Sequence, residues 1–481
     1  MAGGFRYWRY ATAIHQPRLD VLDADLKSSA GRSLLVERLR WPVAIFAVVV
    51  QQGAFVSSPV LSRFLAAIGS PDPQANILNT LVVLLNILFV APFCLLHYRK
   101  LARVLYSNKA AVALMALMFL SVIWSIHPDV TLRRDINYFS TVLTAFYLAT
   151  QFDIDDIMRV LSFGISISIV FSFIFVAAFP IDAIHQPLQW RFTDIENIAG
   201  AWKGVFSHKN VLGHVMTVGV FTELYIVTGI KLRSFWKSLW HVLVLCGCVT
   251  LIIFARSGTA LVLSSIYLLG AVLFVLWQRV RQYFGVFLAM AAVITSTFAI
   301  IFLSYPDMVL QILGSDPTLT GRTELWHIVL GMIWDRPLLG WGYSAMWLQD
   351  DDITIAISSA VGWAVPQAHN ALLEVTLGLG VVGLAIVLAF VGVSVWRAIR
   401  CLIAGRTTIG MYSLVFFVGI NISGITESTL AQNQNIEWVV FNILSICCGL
   451  ELARRKFGEK LSYDAALDFA AMAPVLSRVG Q

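Results

Sequence analysis

Twelve apolar runs of roughly 17 to 25 residues recur along this chain, each long enough to cross a bilayer as a helix, and they constrain the fold more than any other feature. They begin near Trp41, Ile77, Ala110, Ile136, Met158, Val211, Trp240, Gly258, Phe284, Asn370, Ile409 and Ile436. A backbone in hydrocarbon must satisfy its polar groups internally, so such runs fold as helices. With 58% hydrophobic and only 13% charged residues and a mean hydropathy of +0.78, an ordinary soluble domain is excluded. The expected class is all-α, a polytopic membrane protein of about twelve spans. Whether the segment around Arg256 makes one bend or two stays open.

Basic residues set the orientation, because translocated loops are depleted in Lys and Arg. With both ends inside, the cytoplasmic side collects Arg99, Lys100, Arg103, Lys109, Arg159, Lys231, Arg233, Lys237, Arg279, Arg281, Arg397, Arg400 and Arg406. The outer side keeps Arg63, Arg133, Arg134, Arg191, Lys203, Lys209, Arg256, Arg322 and Arg336. This asymmetry accounts for the net charge of +6 without nucleic acid. Residues 1–40 read as a polar cytoplasmic arm without a cleavable signal, 41–452 as one membrane domain, and 453–481 as a cytoplasmic tail. None of the six cysteines falls in a long outer loop, so neither a disulfide framework nor a zinc site is expected, and Cys447 and Cys448 read as packing residues.

One long polar excursion, about 305–369, falls on the outer side. Pro317, Gly321, Pro337, Gly340, Gly342 and Pro366 punctuate short apolar pieces in it, which predicts small interfacial helices placed to cover a cavity. Cations left on the depleted side are candidates for anion binding. Asp350, Asp351 and Asp352 invite a metal reading, but three adjacent acids point in different directions and read better as a solvated loop. The run Gly378 to Gly383 matches a dinucleotide pattern in letters only; it lies in an apolar span without a preceding strand and predicts close helix packing. Glu223, deep in its span, either bridges to a neighbouring helix or lines a cavity.

Four signatures stand in order at outer span ends: Gly204 to Asn210 (GVFSHKN), Ala255 to Thr259 (ARSGT), Gly321 to Trp326 (GRTELW) and His369 to Glu374 (HNALLE). Between the last two lies Pro337 to Tyr343 (PLLGWGY). Over about 80–450 this set resembles the O-antigen ligase and polymerase superfamily, in particular its exopolysaccharide-production, ExoQ-like branch. The resemblance implies a metal-independent, cofactor-free glycosyltransferase in the bacterial inner membrane. It would take a glycan from undecaprenyl diphosphate at the periplasmic face and pass it to a saccharide acceptor, among membrane lipids and other exopolysaccharide assembly proteins. Polymerisation is the favoured reaction, and ligation to a lipid A core is the alternative. A lipid-linked glycan transporter is a rival of another class, disfavoured because no internal repeat or symmetric halves are visible.

The residues suit that chemistry. A diphosphate leaving group already carries charge, so it needs fixed cations, and guanidinium forks match phosphate oxygens; Arg256 and Arg322 are expected to supply the clamp. The acceptor hydroxyl gains from losing its proton, a task for an imidazole, and His369 is the expected base. Asn370 is expected to orient the imidazole or a sugar hydroxyl, and Glu374 to accept a hydrogen bond from a neighbouring group. Lys209 and His208 would add charge near the diphosphate, and Trp341 would stack on a sugar. Trp334, Trp347 and Trp363 read as an interfacial belt, and Arg191, Lys203 and Arg336 as solvated loop charges.

Overall fold

The computed structural model describes residues 34–53, 77–186, 199–279, 322–348 and 350–454. The expected span from Phe284, the residue Arg191, the first part of the long outer loop and nearly all of both terminal segments lie outside these residues. By internal contacts the chain divides at Val43. The described part of the first unit, 34–43, is the start of helix α1 (Leu34–Gln51), where Arg40 pairs with Glu37 at 3.2 Å.

In the second unit the helices are α2 (Ile77–Leu96), α3 (Tyr98–Ser107), α4 (Lys109–Ser121), α5 (Pro128–Gln151), α6 (Ile154–Ala178) and the single turn α7 (Pro180–Ala183). There follow α8 (Lys209–Gly229), α9 (Phe235–Ala255), α10 (Gly258–Arg279), α11 (Arg322–Asp335), α12 (Asp352–Val361), α13 (Ala371–Ile403), α14 (Thr407–Thr426) and α15 (Ile436–Arg454). The protein is all-α and polytopic. Among the described residues eight helices are long and apolar enough to span a membrane, nine if the pair α3 and α4, bent by 88°, counts as one. That differs from twelve in three places. The run near Phe284 is not described. The run near Trp41 forms α1, whose first turns carry Glu37, Arg38 and Arg40. The run near Ile136 forms the polar-headed α5, with Asp129, Arg133, Arg134 and Asp135 in its first half.

Helix starts follow local chemistry. Pro128 opens α5, where a missing N–H is harmless, and Asp153, His208, Asp351 and Asn370 cap α6, α8, α12 and α13 with side-chain acceptors. Such caps satisfy donors that a helix cannot satisfy itself. Inside the bundle α8 is the most enclosed span, packed on α6, α9, α10 and α14. Phe221, Tyr267 and Phe416 interlock there, the last two stacked at 5.8 Å between ring centres. Leu81, Leu84, Leu85 and Leu88 on α2 remain exposed, as a lipid-facing surface requires.

Two sets of buried polar contacts tie helices together. At the bend between α3 and α4, Asn108 accepts from Arg397 of α13 at 2.6 Å, and Arg397 also donates to the Ser445 carbonyl. Glu223 of α8 pairs with His241 of α9 at 2.8 Å and accepts from Ser162 of α6 at 2.5 Å. Its oxygens therefore bridge to two neighbouring helices, which answers the deep-span carboxylate with partners.

The polar excursion builds a layer of its own. Leu325 and Val329 of α11 meet Met346, Trp347, Ile357, Val361, Val365 and Ala368 in a separate apolar cluster. The layer is fastened to α13 by backbone. Gly380 leaves helical geometry (φ 64°, ψ −168°), and the segment 337–342 runs alongside the break. Trp341 N–H donates to the Leu377 carbonyl, Gly342 N–H to Gly378, and Val381 N–H to Pro337, each at 2.9 Å. The glycines of the 378–383 run thus admit a turn-bearing loop segment, where helix-on-helix packing was expected. A side chain at Gly380 would put its Cβ 2.1 Å from the Leu338 carbonyl oxygen.

Candidate active site

Glu427, the residue after α14, is 4% exposed and gathers four groups from three parts of the chain. Its Oε1 accepts from Asn210 Nδ2 at 3.0 Å and Arg322 Nη2 at 3.3 Å. Its Oε2 meets His369 Nδ1 at 3.2 Å and accepts from Gln367 Nε2 at 3.1 Å. Burial alone would raise this carboxyl. The hydrogen bond and charge of His369, with the charges of Arg322 and His214, outweigh it and hold Glu427 below the ordinary carboxylate range. A carboxylate only accepts, so the contact assigns a proton to His369 Nδ1 in either charge state, and when the ring is neutral its lone pair is on Nε2.

His369 is held from several directions. Its backbone is left-handed, φ 49°, a conformation costing of order 1–3 kcal/mol that persists only where the surroundings impose it. The preceding Ala368 donates its N–H to Glu374 Oε2 at 2.7 Å and accepts from Trp326 Nε1 at 2.9 Å. Glu374 also accepts from Trp347 Nε1 at 2.9 Å. Trp363 lies against the imidazole, with ring centres 5.6 Å apart. Asn370 caps α13 through Oδ1, at 3.0 Å from both Leu372 N and Leu373 N, and its amide donates to the Ile425 carbonyl.

Arg322 opens α11, and its second fork nitrogen bonds the Thr426 carbonyl. Arg322 and His369 are therefore brought together on one carboxylate. Arg256 sits in the break between α9 and α10, left-handed at φ 49°, so the segment around it is two helices. Its guanidinium is exposed and donates to the Ala199 carbonyl at 3.2 Å. No contact joins Arg256 to Arg322 or His369. Its neighbour Thr259 meets Thr426 at 3.4 Å, which places it at the same end of the bundle.

A cationic shelf adjoins this end. Lys209, 9% exposed, begins α8, and its backbone N–H donates to His185 Nε2 at 3.2 Å. The His208 ring packs edge-on against His185, with centres 4.9 Å apart. Burial first, then the charges of His208, Lys203 and Lys209, push His185 down to about 3. Trp341 donates to the Met332 carbonyl and lies under the Arg336 guanidinium, 4.1 Å from its ring centre. Asp351 is a helix cap and pairs with His127 at 3.2 Å. Among the described residues no group of three His, Cys, Asp or Glu has metal-binding geometry.

Comparison with known proteins points the same way. A family model described as O-antigen ligase matches residues 241–388, the stretch holding Arg256, Arg322, His369 and the Gly380 break. The exopolysaccharide production protein ExoQ of Rhizobium meliloti is 26% identical over 317 residues, 61% of this chain. Over residues 241–388 the chain is similar to the O-antigen ligase family. Two further relatives in this family's range are rickettsial proteins provisionally named polysaccharide ligases. That of Rickettsia conorii is 28% identical over 129 residues, and that of Rickettsia felis 27% identical over 135 residues, each match covering 26% of this chain. The chain spans 66%, 31% and 32% of the lengths of these three relatives, under two thirds of each. Glu427, Lys209 and His208 lie outside the family-matched stretch.

Glu427 and Gln367 were not anticipated from sequence. The only signal for Glu427 was a carboxylate directly following an apolar span, in the short linker Glu427 to Asn435, a place where exposure in water is the ordinary expectation.

Proposed function

We propose that this protein is a bacterial inner-membrane glycosyltransferase. It would join undecaprenyl-diphosphate-linked oligosaccharides at the periplasmic face, as a polymerase in exopolysaccharide assembly, with no metal in the reaction. The observation that carries the reading is the sharing of one buried carboxylate by Arg322 and His369. Glu427 accepts the hydrogen bond of Nδ1–H, so in the neutral ring His369 Nε2 is left to remove the acceptor proton. The acceptor oxygen attacks the anomeric carbon, the bond from that carbon to the diphosphate oxygen breaks, and both electrons leave with undecaprenyl diphosphate. The proton ends on His369 as imidazolium, which Glu427 stabilises.

The departing diphosphate is met by fixed charge. Arg322 supplies a fork, and Arg256, Lys209 and His208 lie around the same end. Glu374 and Asn370 act through the turn that carries His369, the first by holding the Ala368 N–H and the second by capping α13. Trp341, already stacked under Arg336, would offer its remaining face to a sugar.

Purified protein in vesicles with a lipid-linked repeat unit tests this reading. His369→Ala should abolish glycan joining. Arg322→Lys should also fail, since the charge survives while the fork is lost. Product formation by both variants at near wild-type rates would refute the assignment.

A further inference from the structure

Beside the Glu427 cluster lies a cavity of about 790 Å³, walled by the ends of α2 and α5, the outer layer and the linker from Glu427 to Asn435. Gln367 and Glu374 line it on one side and Val211, next to Asn210, on another, so it opens against the residues that surround His369. Its size falls in the range of sites that enclose a drug-sized ligand.

Its lining is unlike the cationic shelf. Among its polar groups carboxamides are the most numerous: Gln52, Asn79, Asn137, Gln367, Gln432, Asn433 and Gln434. Asn79 and Gln434 face each other as a reciprocal pair, at 2.8 Å and 3.3 Å. Each carboxamide offers two donors and two lone pairs, so this pair keeps half of its capacity for a ligand. Gln52 holds Ser168 through its oxygen.

The charged members other than Asp350 are already engaged. Arg134 donates to the Ser344 and Met346 carbonyls, Arg133 pairs with Asp129, Asp351 with His127, and Glu374 holds Trp347 and Ala368. Two arginines face three carboxylates, Asp350, Asp351 and Glu374, a balance that disfavours an anionic ligand.

We propose that this cavity is the acceptor subsite, and that it takes the hydroxyl-rich end of a glycan chain free of phosphate. Paired donors and acceptors on carboxamides match neighbouring sugar hydroxyls, and the carboxylate excess turns away multiply phosphorylated oligosaccharides such as an inner lipopolysaccharide core. This inference rests on the glycosyl-transfer reading and gives it a direction, since chain extension requires an acceptor whose sugar end, remote from its lipid diphosphate, carries no phosphate.

The test uses the full chain in nanodiscs and saturation-transfer NMR with two probes. One is the oligosaccharide released by mild acid from the producing cell's lipid-linked intermediates, the other a bis-phosphorylated lipopolysaccharide core oligosaccharide. The released glycan should bind, and bind at least about tenfold more weakly to the double variant Asn79→Leu/Gln434→Leu, which removes two hydrogen-bonding groups. The phosphorylated core should bind wild type poorly and bind Asp350→Lys better. Equal binding of the two probes, or an unchanged affinity in the double variant, overturns the proposal. His369→Ala should bind the released glycan like wild type while failing to join it. If it binds and still joins, the reaction assignment falls and the acceptor site stands.

Discussion

Replacing Glu427 by Gln is the sharpest perturbation this site permits, because it keeps the shape and removes only the charge and one acceptor. Oε1 serves Asn210 and Arg322, and Oε2 serves His369 and Gln367. Whichever way the new carboxamide turns, its NH2 faces two donors. Turned toward His369, it forces Nδ1 to accept, moves the ring proton to Nε2 and removes the lone pair that takes the acceptor proton. Turned toward Arg322, it breaks the bond that fixes the fork. Hydrogen bonds to charged groups contribute about 1.5–3 kcal/mol each, and removing one partner of a buried ion pair costs about 3–5 kcal/mol. Taking about 3 kcal/mol as the share expressed in the transition state, joining should slow by at least about 100-fold. The assay is product length against time for purified Glu427→Gln in vesicles, with thermal unfolding as the control for folding. A rate within about threefold of wild type, in a protein that unfolds like wild type, would refute the role given to Glu427.

Two further outcomes follow from the geometry. His185 is half-buried and its folded pKa lies at about 3, below the ordinary 6.5, so below pH 6.5 the unfolded chain binds a proton that the folded chain refuses. Stability should therefore fall as pH drops from 6.5 toward 3, and His185→Gln should flatten this slope in thermal unfolding across that window; an unchanged slope counts against the assignment. Gly380→Ala would place a Cβ 2.1 Å from the Leu338 oxygen at φ 64°, adding about 1–2 kcal/mol of left-handed strain to about 1–3 kcal/mol of overpacking. Its yield of folded protein and its melting temperature should drop, whereas Gly392→Ala, where a Cβ meets nothing within 4 Å, should behave like wild type.

Hydrophobic periodicity was enough for the class, and nine of the twelve expected spans correspond to helices, or a bent pair, long and apolar enough to cross. The run near Ile136 misled because its apolar second half continues a helix whose first half carries two arginines and two aspartates. Arg322 and His369 were legible for a simple reason: cations and imidazoles in outer segments stand out against so apolar a background. Glu427 was not, since its importance lies in partners 58, 105 and 217 residues away, and no local pattern encodes those distances. Gly378 and Gly380 announced close approach but not by what, because a glycine pair looks the same whether a helix or a loop segment slides past it.

Helix α11 carries Arg322 and, one turn later, Trp326. The first reaches Glu427, and the second grips the carbonyl immediately before His369. Sliding or tilting this one amphipathic rod along the bundle therefore moves the cation and the imidazole in concert, and their spacing survives only in one seating of the rod. Whatever presses on that rod displaces the guanidinium and the imidazole with a single movement.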